Sequence, residues 1–254
     1  MLTERQQHCL KGIGIQSWSE RPATLGNRPA TGPVVDIAGE PVAQAVENAV
    51  VKSPQEVPAE NPATRTPAPT SFDSWDSLIE VIHGCKACEL AHNCTQKVPG
   101  VGDRQADLLI IGEGPGHDED LRGEPFVGRS GQLLDRMLAA IGIAREQVYI
   151  TNIVKCRPPN NRDPKQDEAQ QCRTYLEAQI KQIAPKVILS VGRVSAHNLL
   201  GSNQPVGKLI QQMHKLPGTE IPLKVTYHPA YLLRNPSAKA IAWQDLKLLH
   251  QMLR

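Results

Sequence analysis

Aromatic side chains are scarce in this chain: 2 Phe, 3 Trp and 4 Tyr, 4% of 254 residues. Each of them therefore has to be explained. Charge of one sign is also lacking, with 28 Lys and Arg against 26 Asp and Glu, a formal net charge of +2. A balance that small does not by itself argue for nucleic acid, an acidic substrate or an anionic membrane. No apolar run approaches the roughly 20 residues that cross a bilayer, and the first residues carry no apolar core of a secretion signal. A membrane protein is not expected, and the cytoplasm is the expected compartment. There, the six cysteines read as ligands or free thiols rather than disulfides.

What is present is unevenly distributed. In residues 1–20, Leu10, Ile13, Ile15 and Trp18 stand among polar residues. A Trp in so short a segment reads either as an interaction anchor or as part of a peptide that folds back on the domain. Residues 21–70 contain no aromatic residue and have prolines at 22, 29, 33, 41, 54, 58, 62, 67 and 69. Such a segment cannot bury enough apolar surface to offset a backbone ordering cost of about 1–2 kcal/mol per residue. It is expected to be a disordered linker. The folded domain is then expected to span residues 71–254.

The rest of the chain is organised around Gly112 to Gly131, GEGPGHDEDLRGEPFVGRSG. It follows an apolar run from Asp107 to Gly112 with the length of a buried strand, and it precedes a helical pattern at Leu133, Leu134, Met137, Leu138 and Ile141. A glycine-rich turn at the carboxyl end of a strand is where an open α/β sheet binds its ligand. Phosphate is a poor ligand here. Glu113, Asp118, Glu119 and Asp120 would surround it, Pro115 removes a donor, and neither GxGxxG nor GxxxxGK[ST] is spelled. Several carboxylates suit a cationic centre or a positioned water instead.

Three further strand patterns follow, at 148–156, 186–192 and 223–228, separated by helical segments. They imply a four-stranded parallel sheet with helices on both faces. Their carboxyl ends bring Asn152, Gly192, Arg193 and His228 to the rim that carries Glu113. Singly these are weak signals: Asn152 is equally a strand-end cap, and a histidine such as His228 is more often a satisfied one than a catalyst. Their convergence favours a site. Asn presents a donor beside an acceptor, which matches one edge of a pyrimidine. Phe126 can stack on a flat base, and His228 can donate to an oxygen that gains charge. Leu232, Leu233 and Arg234 follow in a loop that can wedge a duplex and hold its backbone, as base flipping requires. The same leucines could instead be tucked into the core.

Cys85-x2-Cys88 follows a helix opened by Ser74-Trp75-Asp76. Cys156 closes the second strand pattern, and Cys172 lies on a helix that Asp163-Pro164 is expected to start. A close pair and a distant pair of thiols suggest a cage for zinc or an iron–sulfur cluster, the alternative being buried free cysteines. Cys94 could replace one ligand, and Cys9 lies outside the domain.

GEGPG with its following acids, PFVG, TNIVKCRPPNNR, the helix cysteine and HPAYLLRNPS, in this order, closely resemble the family 4 uracil-DNA glycosylases. The resemblance covers residues 80–250. It implies a three-layer α/β sandwich around a four-stranded parallel sheet, with a [4Fe–4S] cluster on Cys85, Cys88, Cys156 and Cys172. It also implies base-excision repair chemistry on uracil-containing DNA, single- or double-stranded: hydrolysis of the N-glycosidic bond to release uracil and leave an abasic site. Carried over residue by residue, Gly112, Glu113, Gly114 and Pro115 form the pocket wall and Phe126 the stacking ring. Asn152 becomes the uracil reader and His228 the stabiliser of the leaving anion. Other glycosylases of the superfamily carry an Asp for the water where this chain has Gly114. Glu119 is the expected partner of the water, coupled to Asn161, with Glu113 as its rival. A tight pocket would exclude the methyl group of thymine by overlap.

Two other readings remain at this stage. A covalently trapping uracil-DNA binder would carry an extra basic loop with a His after the second strand, and here Cys156 runs straight into RPPNNRDP. A non-catalytic DNA-binding module would use the cluster as a structural element alone. At the other end of the chain, L-x-x-I-G-I-x-x-W-S-x-R resembles the N-terminal peptide of the psi subunit of the bacterial polymerase III clamp-loader assembly. That resemblance implies a replisome contact through residues 10–21 of a protein expected to be a monomer.

Overall fold

A computed structural model describes residues 72–254. The expected interaction peptide of residues 1–20 and the linker of residues 21–70 lie outside the described residues. The first element is α1 (Trp75–Gly84), which opens as expected. Ser74 Oγ accepts the Ser77 N–H at 3.1 Å and Ser77 Oγ accepts the Ser74 N–H at 3.2 Å, a reciprocal cap. The short α2 (Leu90–Asn93) follows, then β1 (Val101–Gly102) and β2 (Leu108–Gly112).

Beyond β2 come α3 (His117–Arg122), α4 (Arg129–Ala140), β3 (Tyr149–Asn152), α5 (Gln166–Ile183) and β4 (Val187–Val191). The chain continues through α6 (Arg193–Leu200), α7 (Val206–Leu209), β5 (Met213–Lys215), β6 (Pro222–Thr226), α8 (Pro229–Arg234) and α9 (Lys239–Met252). The sheet order is β1-β3-β2-β4-β6-β5. The central β3, β2, β4 and β6 are parallel, with Ile110 opposite Ile150 and Leu189, and Ile188 opposite Leu223. The four expected strands are thus the core of a six-stranded mixed sheet. The short β1 and β5 pair antiparallel with β3 and β6. Neither edge strand has the apolar run of a core strand; β5 is half exposed.

Alternation along the strands sorts the core into two layers. Leu109, Ile111, Ile188, Leu223 and Val225 face α1, α5 and α6. Leu108, Ile110, Val187, Leu189 and Val191 face α4 and α9. The result is a helix–sheet–helix sandwich. Its chain order reverses at β2, with β3 on one side and β4 on the other, so the carboxyl-end crevice there is the expected ligand position.

Two boundaries differ from the sequence expectation. Cys156 lies beyond the strand, because β3 ends at Asn152 and Lys155 folds back to bond the Asn152 carbonyl at 2.8 Å. The Cys172 helix begins at Gln166 rather than at Pro164. Asp163 does not cap it but pairs with Arg193, while Glu168 accepts the Lys165 N–H at 2.7 Å and holds Arg162 with both oxygens. Among the described residues no helix is long and apolar enough to cross a membrane.

One buried ion pair ties β6 to α9. Lys224 Nζ lies 2.9 Å from Asp245 Oδ1, and the Thr226 hydroxyl donates to Asp245 Oδ2 at 2.8 Å; all three residues are buried. Removing one partner leaves the other charge buried without compensation. Asp245→Ala should therefore destabilise the protein by about 3–5 kcal/mol in chemical denaturation. Adding Lys224→Met should recover much of that loss. A loss below about 1 kcal/mol for the single variant would contradict this account of the pair.

Candidate active site

Strand ends β2, β3, β4 and β6 open on a cleft of about 760 Å³. Glu113, Gly114, Pro115, Phe126, Asn152 and His228 all line it. These are residues that the sequence placed on one rim. The walls also include Asn161, Arg162, Arg193, Val206, Tyr227, Tyr231 and Arg234.

Asn152 is 2% exposed, and its Oδ1 has no hydrogen-bond partner. A buried acceptor left unsatisfied costs about 1–3 kcal/mol, and such groups collect where a ligand will supply the missing donor. Gly112 makes the arrangement fit: a Cβ there would come within 2.4 Å of Asn152 Oδ1 and 2.7 Å of the Phe126 ring.

The Phe126 backbone is in the left-handed region, φ 55°, although the residue has a Cβ. That conformation costs of order 1–3 kcal/mol and persists only when its surroundings dictate it. Arg145 supplies the constraint, donating to the Pro125 carbonyl at 2.6 Å and the Phe126 carbonyl at 3.3 Å while held by Asp135 at 2.9 Å. Gly131 leaves room for the same carbonyl, since a Cβ there would sit 1.7 Å from it. The Phe126 ring faces His228 with centroids 5.6 Å apart and planes inclined by 29°.

His228 caps α8, and its Nδ1 accepts the Ala230 N–H at 3.2 Å. That contact places the imidazole proton on Nε2. Burial lowers its pKa to about 4, the Arg234 cation adding to the effect and Glu119 opposing it. The ring is therefore a neutral donor near pH 7.

The acidic turn is arranged differently from the sequence expectation. Residues 117–122 form a helix with Asp118, Glu119 and Asp120 in its first turn, where the helix dipole favours negative charge. Glu119 Oε2 accepts the Gly116 N–H at 3.1 Å, and Oε1 accepts the Val127 and Gly128 N–H groups at 3.0 and 3.1 Å. Asp120 accepts the Thr95 N–H at 2.9 Å. These carboxylates are taken up by main-chain donors, and that of Glu119 locks the segment that carries Phe126. Asn161 Oδ1 is likewise engaged, by Arg157 Nε at 2.8 Å, and Arg157 also meets His117 Nδ1 at 3.0 Å. Glu113 is the carboxyl whose protonation is set by the cleft. Burial pushes its pKa up to about 7, with the carboxylate of Asp163 adding to the effect and Arg193 opposing it.

Leu232 corrects one expectation: it is fully buried among the residues of the α4–α9 layer and cannot touch DNA. Leu233 and Tyr231 are each 38% exposed, and Tyr231 and Arg234 line the cleft. Helical spacing explains the split, since adjacent residues on α8 face about 100° apart.

The thiols of Cys85, Cys88, Cys156 and Cys172 gather behind β3. Cys88, Cys156 and Cys172 are buried, and each of the four lies within electrostatic range of others in the set. Cys94 and Cys156 influence one another's ionisation, and Cys94 Sγ donates to the Ala91 carbonyl at 3.9 Å. The Ala87 N–H donates to Cys85 Sγ at 3.5 Å. Lys155, 1% exposed, has three neutral acceptors; burial lowers its pKa to about 7, with Cys172 and Cys156 opposing the shift. Thiols from three segments in one core layer are the donor type that holds a thiolate-ligated metal centre.

The model of the uracil DNA glycosylase superfamily matches residues 99–247. The chain belongs to this superfamily. It is 40% identical over 187 residues to a type-4 uracil-DNA glycosylase of Archaeoglobus fulgidus, a match that covers 71% of this chain and 94% of that protein. With a type-4 uracil-DNA glycosylase of Thermotoga maritima the identity is 44% over 186 residues, 70% of this chain and 94% of that protein. A type-5 uracil-DNA glycosylase of Thermus thermophilus is 31% identical over 118 residues, 41% of this chain and 53% of that protein.

Sequence reading missed Arg145, Arg157, Asp163 and Tyr227. Arg145 and Tyr227 lie outside the motifs, and Arg157 and Asp163 lie inside them without a role that the motifs show; all four become visible through their contacts. For the pocket floor, Gly112→Ala should reduce activity on the substrate by about 100-fold, the order expected when a reacting group is misplaced by about 1 Å. The melting temperature should change little if Asn152 and Phe126 swing aside. Unchanged steady-state activity would show that their placement is not critical.

Proposed function

We propose that the protein is a DNA repair hydrolase that takes uracil, flipped out of DNA, into this cleft and cleaves its N-glycosidic bond. The observation that carries the reading is the buried, unsatisfied Asn152 Oδ1 in the cleft that Phe126 and His228 also line. Uracil offers N3–H to that acceptor. Cytosine offers a lone pair at N3 instead and would leave two acceptors facing each other. Phe126 stacks on the base and narrows the space for the methyl group of thymine. Extrusion would be helped by Leu233 and Arg234 at the rim, and Arg162 and Arg193 stand where phosphates would pass.

Hydrolysis adds water to the sugar C1′ as the bond to uracil N1 breaks, and the electron pair leaves with uracil. His228 Nε2–H donates to uracil O2, where negative charge develops, and being neutral it gains strength as a donor to the forming anion. Glu113 is the carboxylate that takes the proton of the water, and Glu119 holds the loop rather than the water. The type-4 relatives and the shared activity of the superfamily support the reaction class. Cys85, Cys88, Cys156 and Cys172 would hold a [4Fe–4S] cluster. When bound, it would cross-link the segment after α1, the chain beyond β3 and α5. We place the protein in the cytoplasm as a monomer acting on DNA. A clamp-loader contact through residues 10–21 would bring it to replicating DNA, and Trp18→Ala would abolish that contact.

Incubation with a uracil-containing oligonucleotide tests the reading. Free uracil and an abasic strand are expected. A protein–DNA adduct would indicate a covalent trap, and binding without either product a non-catalytic module. Glu113 must be ionised to accept a proton, so the single-turnover rate should rise with pH and level off above about 7. His228 stays neutral throughout that range. Glu113→Gln should lower the rate and remove this limb; a variant that kept the limb would assign it to another group.

A further inference from the structure

Aromatic rings are few in this chain, yet a second stacked pair lines the cleft besides Phe126 and His228. The rings of Tyr227 and Tyr231 have centroids 4.9 Å apart and planes inclined by 26°, and both residues line the cleft. Their spacing explains the contact: residues four apart meet on one face of a helix, and Tyr227 stands just ahead of α8 while Tyr231 lies within it. The two are held to different degrees. Tyr227 is partly buried and packs against both core layers. Tyr231 is 38% exposed, but its backbone is fixed. Its N–H donates to the His228 carbonyl at 2.8 Å, and its own carbonyl accepts the Asn235 N–H at 2.8 Å and Asn235 Nδ2 at 3.3 Å. The next residue, Leu232, is fully buried and anchors the helix in the core. An exposed tyrosine on a rigid support offers contact area that loses little conformational freedom on binding.

Tyr227 is followed directly by His228, whose ring stacks on Phe126 with centroids 5.6 Å apart. The two stacks therefore start from consecutive residues. Consecutive Cα atoms are about 3.8 Å apart, comparable with the roughly 3.4 Å between successive nucleotides of one strand. A base drawn into the cleft toward Asn152 leaves its neighbour in the strand without a stacking partner on that side, and unstacking is part of the cost of flipping. Resting on the reading of the cleft as a uracil site, we propose that Tyr231, backed by Tyr227, is a stacking platform for the base next to the uracil. The cleft then holds two nucleotides, one read by Asn152 and one held by its flat face. Every base has such a face, so the platform adds affinity without adding sequence preference. Arg234, three residues on from Tyr231, lines the same cleft and offers a cation to the phosphate that joins the two nucleotides.

The test measures single-turnover release of uracil from single-stranded oligonucleotides over a range of protein concentrations, for the full-length protein and for Tyr231→Leu and Tyr231→Phe. The substrates carry either a normal base or a baseless sugar analogue at the position on each side of the uracil. On the normal substrate, the protein concentration giving half the maximal rate should rise about 5- to 150-fold in Tyr231→Leu, the worth of one base stacked on an aromatic ring. Tyr231→Phe keeps the ring and should restore the parental value. Removing the base on one side should weaken the parent by the same factor and weaken Tyr231→Leu no further, because the two partners of a single contact do not add. If Tyr231→Leu does not fold, the baseless substrates still test the subsite on the parent, where equal half-saturation with and without either neighbour would overturn it. A folded Tyr231→Leu with the parental half-saturation, or one that loses as much as the parent when a neighbour is removed, would also overturn the proposal while leaving the uracil site in place. A parent that releases no uracil from any of these substrates would overturn the reading of the cleft itself.

Discussion

Burying the side-chain oxygen of Asn152 without a donor costs the free protein on the order of 1–3 kcal/mol, and much of the surrounding structure holds that oxygen in place. Gly112 leaves space where a Cβ would collide with it. Phe126, in a backbone conformation that residues with a Cβ rarely adopt, closes one side. Arg145 and Glu119 are the two side chains that keep Phe126 there, one bonding its carbonyl and the other the amide that follows it. An acceptor held in this way favours a ligand with N–H at the matching position, because the bond formed on binding repairs a defect already present.

Sheet topology explains why these residues meet. Parallel strands deliver their carboxyl ends to one edge, and the order β3-β2-β4-β6 opens a crevice beside β2. Asn152, His228 and Glu113 are far apart along the chain, yet each lies at or just after a strand end. Behind the sheet, cysteines from the segment after α1, the chain beyond β3 and α5 share one core layer.

The four core strands were legible because each is a short apolar run bounded by turn residues. Phe126, Asn152 and His228 were legible because each stands where its strand or loop pattern puts it on the rim. Edge strands β1 and β5 were not, since two- and three-residue pairings carry no pattern of their own. The capping role of Glu119 was not legible, and for a physical reason. Its position three residues after Gly116 is the spacing of a helix cap, but a glycine cap lacks the side chain that makes the motif recognisable. Asp163 looked like a helix cap and proved to be the partner of Arg193, while Lys165 and Glu168 open the helix. Leu232 and Leu233 are equivalent in composition, and only the orientation of α8 shows that one is core and the other rim. Arg145 left no trace in the sequence, because its role depends on carbonyls that a single backbone conformation brings within reach.

The most direct measurement compares Asn152→Leu with the parent protein in two assays, thermal unfolding of the free protein and single-turnover release of uracil from an oligonucleotide. Replacing an unsatisfied buried acceptor with a side chain of similar volume should leave the melting temperature unchanged or raise it. Loss of the acceptor that Asn152 offers to uracil N3–H should lower the rate by about 100-fold or more. A variant that melts earlier but releases uracil at the parental rate would contradict the account, because Asn152 would then support the fold and not read the base.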